Sequence, residues 1–151
     1  MEQLFETIGP IAAPVALVPM WVVMSLLFSV LSGWRRLADS YQIDALPADV
    51  STSLATGRLR WVQYKNALRV GADESHFYLG TMILFRLGHP WLAIPWTHIQ
   101  NDGEAGLLGL SRQCTLGVPH GGVTLKLSPE RWMALLSCAP PDAVLVPPLE
   151  D

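Results

Sequence analysis

Apolar residues run almost unbroken near the start of the chain and then give way to short alternating stretches. From Ile11 to Ser32 there is no charged residue, and the only members that are not apolar are Pro14, Pro19, Ser25, Ser29 and Ser32. As a helix, Ile11 to Gly33 would be about 34 Å long, enough for a hydrocarbon core of about 30 Å. A soluble core helix of that length would need a polar face, and this stretch has none. A secretory signal peptide would open on basic residues and close on a small-residue cleavage site. Here Glu2 and Glu6 precede the run, and Gly33-Trp34-Arg35-Arg36 ends it. The pattern predicts an uncleaved single transmembrane helix over 11–33, with a signal peptide or a buried hairpin of a soluble protein as rivals.

The flanks orient such a helix. Arg35 and Arg36 follow the span directly, and positive residues stay on the cytoplasmic side. The short segment 1–10 is then outside and the larger C-terminal part cytoplasmic. Trp34, and Trp21 within the span, suit aromatic anchoring at the headgroups. Pro19 predicts a kink, or a partner for a freed carbonyl. Ser25, Ser29 and Ser32 share one helix face, which reads either as a packing surface for other membrane helices or as hydroxyls bonding back to their own helix.

Beyond the span, 34–54 reads as a short helical extension and a linker, broken at Ala45-Leu46-Pro47-Ala48-Asp49. From Ala55 the period becomes two. Arg58, Arg60, Val62 and Tyr64 alternate with Leu59, Trp61 and Gln63, and Lys65-Asn66 predicts a turn into a second strand that stops at Gly71-Ala72-Asp73. His76 to Phe85 is a third strand, with Gly80 as a bulge or break. Trp91 to Ile94 is a short strand, and Asn101-Asp102-Gly103 is a turn signal. Leu108 to Leu116 and Val123 to Leu127 alternate again, either side of Pro119-His120-Gly121-Gly122. Ser128-Pro129-Glu130 opens a helix whose apolar face is Trp132, Met133, Leu135 and Leu136, ending near Cys138. The tail 140–151 is proline-rich and has no period.

These elements predict a mainly β (α+β) domain over 55–139. Six or seven antiparallel strands form a small barrel or bent sheet, with a C-terminal amphipathic helix closing one opening. The order of strands and helix resembles a pleckstrin-homology-like domain. A more local likeness lies in Gly33-Trp34-Arg35-Arg36-Leu37-Ala38 with Tyr41, in Tyr64-Lys65-Asn66-Ala67-Leu68-Arg69-Val70-Gly71-Ala72 with Tyr78-Leu79, and in Pro90-Trp91-Leu92-Ala93-Ile94-Pro95-Trp96. In this order they resemble a group of uncharacterised bacterial single-pass membrane proteins. That resemblance implies an inner-membrane protein with a cytoplasmic β domain, and it implies no activity.

Composition narrows the picture further. Half of the residues are hydrophobic (50%) and only 15% are charged, against roughly 25% charged in ordinary soluble domains. A formal net charge of −3 argues against a general nucleic-acid binder, which carries a basic excess. Two cysteines, Cys114 and Cys138, are too few for a disulfide framework or a tetrahedral zinc site, and both fall on apolar faces as buried thiols.

No catalytic or cofactor-binding constellation emerges. His76, His89, His98 and His120 lack metal-ligand spacing and read as loop or edge histidines. Gly109-Leu110-Ser111-Arg112-Gln113 lacks the last glycine of a nucleophile elbow, and Gly71-Ala72-Asp73-Glu74-Ser75 does not open a helix as a phosphate loop must. The basic run Arg58, Arg60, Lys65 and Arg69 contains no acid. It reads as protection of an edge strand, as an anion or anionic-lipid contact, or as a contact for an acidic partner. Strand alternation argues against all four facing one way. Trp61, Trp91, Trp96 and Trp132 are each expected in the core, with Trp91 beside a loop as the candidate interface anchor. The sequence therefore predicts a non-catalytic accessory or scaffold subunit of a bacterial inner-membrane complex, respiratory, photosynthetic or secretory. A tethered module for anionic lipid or a small anion is the alternative.

Overall fold

The structure is a computed structural model that describes the backbone of residues 2–105 and 109–141 and the side chains of 15–103 and 109–141. Helix α1 (Glu2–Leu31) continues through Pro19, and the chain breaks instead at Ser32-Gly33 before α2 (Trp34–Tyr41). Gly33 has φ +79°, and a Cβ there would come within 3.0 Å of Val123 Cγ2. Only glycine combines that left-handed backbone with so close an approach. The stretch Val15–Leu31 and α2 meet at 74°. Among the described residues no single helix is long and apolar enough to cross a membrane, although this bent pair passes together by length and composition.

Eight strands follow: β1 (Gln42–Ile43), β2 (Thr52–Leu59), β3 (Val62–Ala72), β4 (His76–Thr81), β5 (Trp91–Pro95), β6 (Ile99–Ala105), β7 (Ser111–Leu116) and β8 (Val123–Leu127). They form one open sheet in the order β1-β5-β4-β3-β2-β8-β7-β6, with every neighbouring pair antiparallel. Helix α3 (Pro129–Leu136) follows the last strand. Ser128 takes the extended backbone of a cap, and Pro129 takes the first helical position.

Alternation decides what each strand buries. Ala55, Gly57 and Leu59 of β2 face inward, while Leu54, Thr56 and Arg58 face out. The same rule puts Phe77 and Leu79, Leu92 and Ile94, Cys114 and Leu116, and Val123, Leu125 and Leu127 into one cluster. Trp34, Leu37 and Tyr41 of α2 and Trp132 and Leu135 of α3 complete it. Burying a side chain of this size stabilises a fold by roughly 1.5–3 kcal/mol, so α2 is part of the core rather than a linker.

Three turn assignments differ from the sequence reading. The first hairpin turns at Arg60-Trp61, where Arg60 has φ 52°. Lys65 and Asn66 lie inside β3, and Asn66 (φ 47°) faces Thr56 beside the irregularity between Ala55 and Gly57. The side chain of Thr56 bonds both the amide and the side chain of Asn66. Asn101 to Gly103 is a bulge within β6, not a turn. Gly80 stays in register with Arg69, so it neither bulges nor breaks β4. Trp91 explains it, because a Cβ on Gly80 would lie 2.2 Å from the indole. Met82 to Phe85 leaves the sheet, with Ile83–Phe85 in a 3-10 turn. Leu108 and residues 142–151 of the tail lie outside the described residues.

Candidate functional site

Ser25, Ser29, Trp21 and Trp34 converge where α1 ends against the β4–β5 connection. Ser25 Oγ donates to the carbonyl of Leu87 (2.7 Å), and Ser29 Oγ donates to that of Gly88. Ser32 bonds back to Ser29 O (3.3 Å) and accepts the amide of Trp34 (3.4 Å). The serine face thus meets the chain's own loop, and only Ser32 turns back on its helix. All three serines are buried. Trp21, half-buried, packs its ring on Phe85 with centroids 6.2 Å apart.

Trp34 is the largest departure from expectation. It is 0% exposed and cannot anchor at a lipid headgroup. The 74° bend at Gly33 swings it into the domain, where Nε1 donates to Pro90 O (3.0 Å). Its indole meets His89 edge-on at 4.9 Å and Tyr64 at 6.4 Å. His89 Nδ1 bonds Leu87 O (3.3 Å) and Nε2 bonds Tyr64 Oη (3.0 Å). A carbonyl can only accept, so Nδ1 carries the proton and Nε2 receives the tyrosine O–H. This is a neutral imidazole, and burial holds its pKa below the ordinary histidine range. Burial likewise raises Tyr64, with a bond to Ser32 opposing it. His89 is therefore a core residue rather than the loop histidine that Gly88-His89-Pro90 suggests. Arg35 and Arg36 remain exposed at the start of α2.

Trp91 lies in the core, as expected, and is not an exposed interface anchor. It is 7% exposed, lies across Gly80, and carries the guanidinium of Arg86 4.9 Å above its ring. Trp96 and Trp132 are buried as well, whereas Trp61 at the hairpin tip is 73% exposed and is not core. Cys138 is exposed rather than buried; Cys114 is buried, and desolvation with the charge of Asp102 pushes its thiol far up.

Three residues of the basic run, Arg58, Lys65 and Arg69, share one outward face of the sheet. Arg58, Arg60, Lys65 and Arg69 are all exposed. With the turn at Arg60-Trp61, Arg58 and Lys65 fall on the same outward parity of their two strands, and Arg69 follows on β3. Lys126 stands across from Arg58 on β8 and extends the surface, a neighbour visible only from the pairing of distant strands. None of the four lies on an edge strand, since β2 and β3 are both internal. Edge protection is therefore not their role.

A second grouping escaped the sequence. Tyr41 Oη bonds His98 Nδ1 (3.0 Å), and the His98 and His120 rings stand 6.1 Å apart. Among the described residues no group of three or more His, Cys, Asp or Glu is placed to hold a metal. Comparisons of the chain with protein-family models, with curated proteins and with solved structures give no match.

Proposed function

We propose that the chain is a membrane-anchored, non-catalytic accessory or scaffold subunit of a bacterial inner-membrane assembly, with its β domain on the cytoplasmic side. One observation carries this reading. Val15, Leu17, Val18, Met20, Val23, Met24, Leu26, Leu27, Val30 and Leu31 are all exposed on α1, while the serine face is taken by the chain's own loop. That apolar belt carries no charge and needs lipid or neighbouring helices to cover it. Arg35 and Arg36, exposed where α1 ends, support the cytoplasmic assignment. The run β5-β4-β3-β2-β8-β7-β6 followed by a helix supports the pleckstrin-homology-like reading of the domain, with β1 as an addition. Native mass in mild detergent tests the proposal. A particle much larger than 16.6 kDa plus its micelle, with co-purifying chains, is expected; a bare monomer would sink the subunit reading.

The outward basic surface favours a second reading, a tethered module for anionic lipid or a small anion. Juxtamembrane basic residues contribute about 1 kcal/mol each near an anionic bilayer. Arg58, Arg60, Lys65 and Arg69 with Lys126 reach the size of such a cluster. Neutralising the first four separates the readings. Loss of binding to anionic vesicles with assembly intact selects the module.

A further inference from the structure

The β4–β5 connection exposes four large apolar side chains, Met82, Ile83, Leu84 and Leu87, and it lies against α1. We infer that Met82 to Gly88 enters the acyl-chain region of the bilayer beside α1, a second membrane contact made by the β domain itself. The inference rests on the membrane reading of α1. Its placement follows from three contacts: Phe85 on Trp21, Leu87 O on Ser25 and Gly88 O on Ser29. Trp21 precedes Gly33 by twelve residues, about 18 Å along a helix. Lipid that surrounds this length of α1 surrounds the connection too.

The chemistry of the segment fits that position. Met82-Ile83-Leu84-Phe85 has no polar side chain. Ile83 is 86% exposed, and Met82, Leu84 and Leu87 are exposed as well, continuing the apolar belt of α1. Irregular backbone survives in hydrocarbon only when its polar groups find partners inside the protein. Here three amides of the segment, those of Met82, Phe85 and Arg86, donate to Ala67 O, Met82 O and Ile83 O at 2.9–3.3 Å. The carbonyls of Leu87 and Gly88, left over by the turn, take the two serine hydroxyls. The serine face thereby gains a purpose that helix packing alone does not supply.

The segment carries a single charge. Arg86, its one cation, folds back over Trp91 toward the sheet. With Arg69 it borders an open groove of about 360 Å³ whose other walls are Leu54, Met82 and Ile83. Two guanidinium groups that share one groove with three apolar side chains complement a phospholipid, with phosphate at Arg69 and Arg86 and an acyl chain along Leu54 and Ile83.

The test places a fluorophore on the full chain in vesicles of phosphatidylethanolamine and phosphatidylglycerol. Cys138→Ser removes the exposed thiol, and single cysteines replace Ile83, Val23 on α1, or Glu74 on the β3–β4 turn. Iodide quenches from water, and nitroxide-bearing acyl chains quench from lipid. The expected result is that Ile83→Cys matches Val23→Cys, quenched by nitroxide with loss of the iodide quenching seen at Glu74→Cys. Leu84→Cys repeats the measurement should Ile83→Cys fold poorly. Iodide quenching at both loop sites with lipid quenching at Val23 overturns the inference and leaves the anchor standing. Iodide quenching at Val23 as well overturns the membrane reading first. Shielding of the loop from both quenchers means that a protein partner covers it, and this too overturns the inference.

Discussion

The hydroxyl of Ser25 reaches the carbonyl of Leu87 across 2.7 Å and 62 residues of sequence. With Ser29 on Gly88, it fastens α1 to the β domain at a point where backbone carbonyls have left the sheet. Ser29→Ala leaves Gly88 O, a part-buried acceptor, short of its donor, at a cost of about 1–3 kcal/mol, and Ser25→Ala costs less because Leu87 O keeps the His89 Nδ1 proton. Amide exchange in detergent should show faster opening at Arg86, Leu87 and His89 in either variant, with little change in β7 and β8.

Trp34 is the other fastening. Trp34→Ala removes a wholly buried indole and should cost roughly 3–5 kcal/mol. Trp34→Phe keeps most of the packing but strands Pro90 O, and should cost clearly less. Thermal unfolding of the two variants in one detergent checks the order. Equal midpoints would mean that α2 does not hold the domain together.

Gly80→Ala is a small change with a large expected effect. The added methyl would sit 2.2 Å from the Trp91 ring, so the indole must move and release Arg86 from its face. Overpacking of this kind costs typically 1–3 kcal/mol. Loss of stability together with a red-shifted tryptophan emission is expected; unchanged stability would show that Trp91 has room to retreat.

His89 makes stability depend on pH. Its folded-state pKa lies below the ordinary value of 6.5 because burial disfavours the charged ring. Between the two values the unfolded chain binds more protons than the folded one. The contribution is therefore complete above about pH 6.5 and is lost as pH falls toward the folded value. Unfolding midpoints at pH 5 and 8 should differ, and His89→Gln, which cannot titrate, should narrow the difference. An unaltered difference would assign the effect elsewhere.

Much of the fold was legible where a local rule acts alone. β8 and α3 were readable because alternation from Val123 to Leu127 and the Ser128-Pro129 start need no distant partner. The Arg60-Trp61 turn was not, because neither residue is a turn former, and Asn66, which is one, spends its positive φ inside β3. Trp34 misled for a related reason. Beside two arginines after an apolar run it has the composition of a headgroup anchor, and only the bend at Gly33 sends it inward. At the candidate site, Arg58, Arg60, Lys65 and Arg69 were visible in sequence. The outward face that Arg58, Lys65 and Arg69 share was not, since it depends on where the hairpin turns. Lys126, Arg86 and the buried state of His89 arise from pairings across the sheet, which no window of sequence contains.

Because Trp34, Leu37 and Tyr41 of α2 belong to the core, while Ser25 and Ser29 fasten α1 to the β4–β5 connection, the bend at Gly33 is held on both sides and is no swivel. With α1 in a bilayer, turning it about its own axis turns the sheet with it, as a key turns a lock. Each residue of an α-helix advances the azimuth by about 100°, so one residue inserted in α1 before Ser25 would keep the domain intact and re-aim whatever lies on the far side of the membrane. The domain does not search its surroundings on a tether; it holds one bearing, set by Gly33.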